Sequence, residues 1–414
     1  METKDKTLTT LSGASLLIMT MMGTGINFMP MAFNHMGFVG SWITLITVGI
    51  FTFFSLIALV RVAEHYKQKD INFLTIARDV SYFEYVMMNL GVFFNCFFAT
   101  VTFYRFLSNT LVEGCSFFRN LHSDYETCRK YVVFMLLPLL VHLSLKDKLI
   151  NLKVSGWLGS FSVFYLMSLI IFYSITIGNK AYSSPMSPFN NNYKLGLPFF
   201  VSCMVCQPNM IGVYSALKNK SRKNILFLCF LSSLGGLLSY GLIGFCGYYI
   251  FGTKINSDIM KMLANMNSEL NIYIRENTFD KYNLLSKLAF LSMISLLTCG
   301  FPLQMLPVAE MVTNFIYKES KTAKKTKIVT LMILCCTLSL VLIEKLDITL
   351  IKRLSGAIFS TAVGLLHPFM FLIHVDRRIS LFNLTCILIG MITFSSILYT
   401  IYKLIEDVYI SMTK

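Results

Sequence analysis

The chain has 414 residues, of which 55% are hydrophobic and only 14% are charged, and its mean hydropathy is +0.64. Soluble domains carry about 25% charged residues, and a chain of this length has too little interior to bury so much apolar surface. The composition excludes a soluble protein and predicts an integral membrane protein. The net charge of +15 is typical of Lys- and Arg-rich cytoplasmic loops. No basic stretch alternates with base-stacking aromatic residues, which argues against a nucleic-acid partner.

Apolar runs long enough to cross a bilayer recur along the whole chain. A membrane helix needs about 20 apolar residues, whereas the strands of a membrane barrel alternate in segments of about ten. The runs are continuously apolar, so the predicted fold class is an all-α polytopic membrane protein. The eleven predicted spans cover residues 12–33, 38–60, 84–112, 129–146, 155–177, 196–217, 223–251, 283–316, 327–344, 351–373 and 382–404, followed by a short tail at 405–414.

The loop charges predict the orientation of these spans. If the N-terminus lies inside, the inside loops include the basic runs "KNKSRK" (218–223) and "KESKTAKKTK" (318–327). Positive residues favour the cytoplasmic side, so we expect a cytoplasmic N-terminus and, with an odd number of spans, a C-terminus outside or in a lumen. The first span follows a polar start without a cleavage site, and we expect it to be retained. Cys115 and Cys128 flank a loop on the predicted outer side, where a disulfide is an open alternative.

The first span contains "MMGTGINFMP" (21–30), which is unusual for a membrane helix. Glycine costs about 1 kcal/mol in a helix interior and proline about 3 kcal/mol. "GTG" begins about 11 residues into the span, or about 17 Å, close to the middle of the hydrocarbon core. The sixth span carries "QPN" (207–209) at the same depth but enters from the opposite side. Small residues and proline also serve packing in membrane helices, but the matched depth favours a pair of broken helices.

Two interrupted helices at corresponding positions of two halves are typical of a transporter binding site. The backbone groups that a break frees are tolerated only where protein or a water-filled cavity covers them. Free N–H groups at the start of a half-helix favour a carboxylate, and free carbonyls favour a cation. A zwitterion that carries a carboxylate and an ammonium group on adjacent atoms suits both ends.

Five stretches resemble the amino acid/auxin permease family, which includes vacuolar, proton-coupled and sodium-coupled neutral amino acid transporters. They occur in the family's order and extend over nearly the whole chain. The stretches are "GASLLIMTMMGTGINFMPMAFNHMG" (13–37), "MVCQPNMIGVYSALKNKSRKNI" (204–225), "YGLIGFCGYYIFGTKINSDIM" (240–260), "FPLQMLPVAEM" (301–311) and "LSGAIFSTAVGLLHPFMFLI" (354–373).

The resemblance implies one transmembrane transporter domain over residues 1–404 with a leucine-transporter-type fold. Five helices in repeat one (12–177) would be inverted in repeat two (196–373), with an extra helix at 382–404. It also implies secondary active transport of an amino acid substrate held between spans 1 and 6, in a monomer embedded in the lipid bilayer. The substrate-binding residues carried over are Gly23, Thr24, Gly25, Ile26, Tyr104, Cys206, Gln207, Asn209, Ser295 and Thr298.

The sequence departs from this family at two informative positions. Sodium-coupled relatives have Asn where this chain has Met19, and a thioether is a poor ligand for a hard cation. Many relatives have His where this chain has Gln207, which does not titrate near neutral pH. The first departure favours proton coupling or uncoupled exchange over sodium coupling, and the second means that Gln207 is not a proton relay; we expect no metal and no cofactor. The titratable groups within the spans are Arg105, Glu310, His142 and His367; Arg105 could contact an anion or extend outward, and His367 could be structural or a proton relay.

Other functions fit the sequence less well. A nutrient sensor of the same fold is the main alternative, although the chain shows no long polar N-terminal segment for docking a partner. A channel would show a repeated pore ring, and a membrane-embedded enzyme would show metal-ligand spacing among its histidines. The apolar residues around the breaks favour a neutral amino acid. The plasma membrane and the vacuolar membrane are both left open.

Overall fold

The computed structural model describes residues 7–66, 73–119, 124–146, 152–178, 185–255, 258–264, 269–277, 283–317, 322–344 and 347–376, with a few isolated positions. Within these ranges, eight helices are long and apolar enough to cross a membrane, and a bent pair at the start raises the number to nine. The protein is therefore an all-helical polytopic membrane protein, as its composition predicts.

The helices follow the predicted spans closely. Most predicted spans extend by a few residues, because polar caps and charged ends continue helices beyond their apolar parts. The helices are α1 (Thr10–Met21), α2 (Gly25–Met36), α3 (Phe38–Tyr66), α4 (Phe73–Val80), α5 (Tyr82–Arg119), α6 (Tyr125–Ser144), α7 (Lys153–Thr176), α8 (Tyr193–Cys203), α9 (Gln207–Ala216), α10 (Arg222–Phe251), α11 (Ile259–Ala264), α12 (Glu269–Asn277), α13 (Leu284–Tyr317), α14 (Ala323–Val341), α15 (Ile348–Leu354) and α16 (His367–Val375).

Two of the predicted spans need separate comment. The ninth coincides with α14, although lysines occupy the first turns of that helix. The eleventh, 382–404, lies almost entirely outside the described residues. The number of eleven spans and the boundaries of the two repeats therefore stay predictions, as does a Cys115–Cys128 disulfide, because the side chain of Cys115 lies outside the described part.

Spans 1 and 6 are both broken, as predicted. Span 1 consists of α1 and α2, which meet at an angle of 61° across residues 22–24. Span 6 consists of α8 and α9, and its break covers residues 204–206. This break precedes "QPN", because Pro208 occupies the first turn of α9. Proline has no N–H group to donate and is tolerated at that position, so it starts the second half-helix and does not interrupt it.

Spans that lie five apart in sequence pack against each other. Helix α2 packs on α8 and α1 on α9, α3 packs on α10, α5 on α13, and α6 on α14. Such pairing is what a pseudo-two-fold axis between two inverted halves would produce. The two breaks consequently lie side by side in the centre of the bundle.

Backbone hydrogen bonds join the two broken spans at both ends. Before α1, the N–H of Leu8 donates to the carbonyl of Ala216 at 2.8 Å, and the N–H of Lys218 donates back to Leu8 at 2.9 Å. At the other end, the N–H of Phe38 donates to the carbonyl of Ser187 at 3.0 Å. Each tie links the flank of span 1 to the flank of span 6.

Span 10 is one continuous helix with a wide middle. Residues Ser355–Ser360 and Ala362–Leu366 have π-helical hydrogen bonding between α15 and α16. This stretch is anchored to α5, because the hydroxyl of Ser360 donates to Asn95 Oδ1 at 2.6 Å. Wide turns of this kind are frequent at functional sites in helices.

Candidate functional site

The break in span 1 leaves polar groups at the start of α2. Within the described part of the chain, the N–H groups of Thr24 and Gly25 have no hydrogen-bond acceptor. The Thr24 hydroxyl and both polar atoms of the Asn27 amide are buried and also unpaired. A helix start with free donors carries partial positive charge, so it is suited to an anionic group such as a carboxylate.

The carbonyls freed on the other side of this break are paired by side chains. The hydroxyl of Tyr240 donates to the carbonyl of Met21 at 2.6 Å, and Gln304 Nε2 donates to the carbonyl of Thr20 at 2.8 Å. The last two carbonyls of α1 are therefore paired by protein, whereas the donors at the start of α2 are left available.

Two glycines allow neighbouring helices to come close to this break. A Cβ atom at Gly23 would lie 2.0 Å from Phe103 Cζ, and one at Gly25 would lie 2.5 Å from Cys203 Sγ and 2.6 Å from Tyr240 Oη. All three distances are far below van der Waals contact. The glycines of "GTG" are thus explained by close packing of spans 3, 6 and 7 around the break.

The break in span 6 is closed by Gln207. Its Oε1 accepts from the N–H of Cys206 at 2.9 Å, and its Nε2 donates to Ser55 Oγ at 3.1 Å. Ser55 in turn donates to the carbonyl of Gly364 at 2.6 Å. One amide therefore satisfies a freed N–H group and connects the break to spans 2 and 10.

Asn209 holds the same half-helix from its other face. Its Nδ2 donates to Thr20 Oγ1 and to the carbonyl of Leu303, both at 3.0 Å. These bonds fix α9 to α1 and α13, so both polar residues of "QPN" position the breaks.

A small cavity of about 20 Å³ lies between the two breaks. That volume is about enough for one water molecule, so the site is collapsed around its centre. Its lining combines unpaired donors, amide groups, an aromatic ring and one cation. The lining residues are Thr20, Met21, Thr24, Gly25, Asn95, Ala99, Phe103, Ser202, Val205, Gln304 and Lys352.

An aromatic cluster closes the predicted outer side of this cavity. The ring of Phe28 stacks on Phe199 at a centroid distance of 5.1 Å and meets Phe106 edge-on at 5.3 Å. The guanidinium of Arg353 lies 5.8 Å above the Phe199 ring. On the predicted cytoplasmic side a second cavity of about 50 Å³ lies beside Pro208, Val92 and Glu310. The site is thus sealed by packed rings towards one side.

Comparison with known proteins identifies the family. The model of the family described as "Transmembrane amino acid transporter protein" matches residues 6–406. The chain belongs to this family.

The chain is similar to Vacuolar amino acid transporter 5 of Saccharomyces cerevisiae. The two sequences are 24% identical over 322 residues, which cover 74% of this chain and 66% of that protein. Vacuolar amino acid transporter 6 of the same yeast is 23% identical, with 61% and 58% covered. Human Sodium-coupled neutral amino acid transporter 4 is 25% identical over 131 residues, 32% of this chain and 22% of that protein. The matched region spans less than two thirds of the length of these relatives.

The structure brings together only some of the residues that the family resemblance implies. Thr24 and Gly25 line the cavity, and Gly23 packs against Phe103, which also lines it. Ile26 and Cys206 are buried in the adjoining core. Gln207 and Asn209 are occupied by the hydrogen bonds described above.

The predicted residues on spans 3 and 8 lie elsewhere. The hydroxyl of Tyr104 donates to the carbonyl of Val133 at 2.7 Å, so this ring faces α6. Successive helical residues point about 100° apart, and the preceding Phe103 faces the break instead. Ser295 and Thr298 are half-buried on α13 and do not line the cavity. The residue that span 8 contributes is Gln304, nearly two turns further along.

Two charged groups within the spans have partners that the sequence did not reveal. Arg105 donates to the carbonyls of Val341, Ile343 and Glu344 at 2.9–3.1 Å, which caps the end of α14. It neither contacts an anion at the breaks nor extends outward. His367 Nδ1 forms a short hydrogen bond with Glu84 Oε1, and both side chains are buried.

The sequence reading missed Asn95, Phe103, Gln304 and above all Lys352. A charged residue within a predicted span is a signal of function, and Lys352 lies within the tenth predicted span, 351–373. It is the second residue of that span, next to the preceding loop, where charged residues are common. Within the described residues, no three His, Cys, Asp or Glu side chains converge as metal ligands.

Proposed function

We propose that this protein is a secondary active transporter that moves amino acids across a membrane by alternating access, coupled to protons. The observation that carries the proposal is the cavity between two broken helices, with unpaired donors at Thr24 and Gly25. Family membership supports amino acids as the substrate class. The α-carboxylate of the substrate would bind the free N–H groups at the start of α2, where the helix dipole favours negative charge.

Enclosure on one side supports alternating access. The rings of Phe28, Phe106 and Phe199 close the predicted outer side, and the central cavity is too small for an amino acid. Substrate entry would therefore require these packed elements to separate, and closure would exclude water from the bound substrate.

The surroundings of Met19 argue against sodium coupling. Its side chain fills the space between α1, α7 and α13: a Cβ atom at Gly159 would lie 2.0 Å from Met19 Sδ, and one at Gly300 would lie 3.1 Å from Met19 Cε. Sodium prefers oxygen ligands, and here a thioether packs against glycine backbones. This packing supports coupling to a different ion.

The buried pair of Glu84 and His367 supports proton coupling. Glu84 lies at the start of α5 and His367 at the start of α16, so a proton on this pair would be shared between spans 3 and 10. The surrounding helices α3, α4 and α16 present other charged or titratable groups, which are all exposed or half-buried: Arg61, Glu64, His65, Arg78, Asp79 and His374. An intramembrane acid with a histidine partner is a common form of proton relay.

Reconstitution of the full chain into proteoliposomes tests the proposal. Uptake of a panel of labelled amino acids would be measured with a proton gradient or a sodium gradient imposed separately. We expect accumulation with the proton gradient alone. Accumulation driven only by sodium would contradict the coupling, and failure to transport any amino acid would contradict the carrier. Binding without transport would favour the sensor alternative.

A variant pair tests the proton site. Glu84→Gln is expected to retain exchange of amino acids across the membrane but to lose proton-driven accumulation. Glu64→Gln changes an exposed carboxylate on α3 and serves as the matched control. Proton-driven accumulation that persists in Glu84→Gln would remove this pair from the mechanism.

The proposal also includes the membrane in which the protein lies and the sides on which its two termini lie. Yeast relatives are named vacuolar transporters and the human relative a sodium-coupled transporter, so either a vacuolar or a plasma membrane suits the family. The basic loops support a cytoplasmic N-terminus and a C-terminus outside or in a lumen. Protease protection of a C-terminal epitope tag in sealed vesicles would test this orientation.

A further inference from the structure

A buried lysine lies beside the unpaired donors of the central cavity. Lys352 belongs to α15, and only 9% of its surface is exposed. It lines the cavity together with Thr24 and Gly25 from span 1 and Ser202 and Val205 from span 6. We propose that Lys352 binds the side-chain carboxylate of an acidic amino acid and selects dicarboxylic amino acids as substrates. This inference rests on the proposed transport function.

Lys352 is the charged residue that lines the cavity, and the described part of the chain gives it no anionic partner there. Within the described residues, Lys352 forms neither an ion pair nor a hydrogen bond, and the other residues that line the cavity are uncharged. A buried ammonium group without a partner is costly, and buried charges are normally paired. When Lys352 is protonated, the cavity holds one uncompensated positive charge, which a ligand with one extra negative charge would neutralise.

The cavity offers two positions for anionic groups, which suits a substrate with two carboxylates. The start of α2 offers the N–H groups of Thr24 and Gly25 to one carboxylate. Lys352 offers a second cationic position on the same cavity. An amino acid with a neutral side chain would fill the first position and leave the ammonium unpaired. An acidic amino acid would fill both.

Neighbouring amide and hydroxyl groups strengthen the second position. Asn95 lines the cavity, and its Oδ1 is held by Ser360, which leaves Nδ2 with only a distant contact to Cys96 Sγ at 3.9 Å. This amide nitrogen is therefore a further donor for a carboxylate oxygen. The apolar residues near the breaks favour a neutral substrate when the sequence alone is considered, and the position of Lys352 reverses that expectation.

Isosteric substrates test the inference on the unaltered protein. A proton gradient would be imposed on proteoliposomes containing the full chain. Uptake of labelled glutamate would be compared with that of glutamine, and uptake of aspartate with that of asparagine. We expect the acid of each pair to be taken up with at least about tenfold higher efficiency, because a hydrogen bond between charged groups is stronger than one to a neutral amide. Equal or preferential uptake of the amides would overturn the inference while leaving amino acid transport intact.

Substitutions then assign the selectivity to this residue. Lys352→Met is expected to lose the preference for the acids and to retain uptake of the amides, and Lys352→Arg is expected to keep the preference. Lys130→Met removes an exposed lysine that pairs with Glu344 and is the matched control. A Lys352→Met protein that loses acids and amides equally, while it elutes as a folded monodisperse species, would contradict a role in selectivity.

The uptake measurements also distinguish failure of the transport proposal from failure of the role proposed for Lys352. If the unaltered protein transports no amino acid at all, the transport proposal fails. If it transports amino acids and Lys352→Met leaves the ratio of glutamate to glutamine uptake unchanged, only the assignment of Lys352 fails.

Discussion

Substitution of Gly25 by alanine should disable the break in span 1. The added Cβ atom would lie 2.5 Å from Cys203 Sγ and 2.6 Å from Tyr240 Oη. Van der Waals contact requires about 3.5 Å, so both groups must retreat by about 1 Å. The Tyr240 hydroxyl is also the donor that pairs the carbonyl of Met21 at 2.6 Å, and it cannot retreat without weakening that bond.

The expected cost follows from these two effects. Overpacking of a tight core costs about 1–3 kcal/mol, and loss of one buried hydrogen bond costs about 1 kcal/mol. We therefore expect Gly25→Ala to destabilise the protein by about 2–4 kcal/mol and to reduce proton-driven amino acid uptake by at least about tenfold. The free energy would be measured by thermal unfolding in detergent, and the uptake in proteoliposomes with protein content normalised.

Two further variants identify the cause. Gly40→Ala is the matched control, because the nearest atom to its new Cβ would be Phe189 Cδ1 at 3.6 Å, an ordinary contact. Combining Gly25→Ala with Tyr240→Phe removes the clashing hydroxyl, so the double variant should lose less than the sum of the two single variants. Wild-type stability and uptake in Gly25→Ala would refute the geometry of this break. Strict additivity in the double variant would refute the role assigned to Tyr240.

Two smaller predictions concern the framework around the site. Arg129→Met should destabilise the protein by about 2–3 kcal/mol, because it removes the bonds of a buried guanidinium to Glu126 and one of the two arginine donors to the carbonyl of Val341. Lys130→Met, which breaks an exposed ion pair, should cost less than about 1 kcal/mol. Thermal unfolding of both variants measures the difference, and similar losses would contradict it. Asn209→Leu removes the bonds to Thr20 and Leu303 and should lower uptake at saturating substrate more than it raises KM; a change in KM alone would show that Asn209 contacts substrate.

The sequence predicts the helices and the breaks well because their signals are local. Continuous apolar length determines a membrane helix, and glycine or proline at mid-span reports an interruption. The residue pattern predicts the break in span 6 at "QPN", whereas the break lies immediately before it, because Pro208 occupies the first turn of the second half-helix. Residue types alone do not show whether a proline interrupts a helix or begins the next one, so the predicted position of a break can differ from the observed one by a few residues.

The contents of the site were harder to predict because they depend on helix rotation and on distant partners. Tyr104 and Phe103 are adjacent in sequence, and only the rotation of α5 decides that the second faces the break. Gln207 looks like a ligand residue in sequence, yet its partner is Ser55, 152 residues earlier. Lys352 was accessible to sequence reasoning as a charge within a predicted span, but its direction into the cavity depends on how α15 packs beside α8.

The backbone ties at both ends of spans 1 and 6 have a mechanical consequence. Leu8 is bonded to the residues around Ala216 on one side of the bundle, and Phe38 to Ser187 on the other. Spans 1 and 6 are therefore joined by backbone hydrogen bonds at both of their ends. A tilt of one broken span would be transmitted to the other. If the proposed alternating access operates, these ties would couple the two sides of the site, so that opening one side would be accompanied by closing the other.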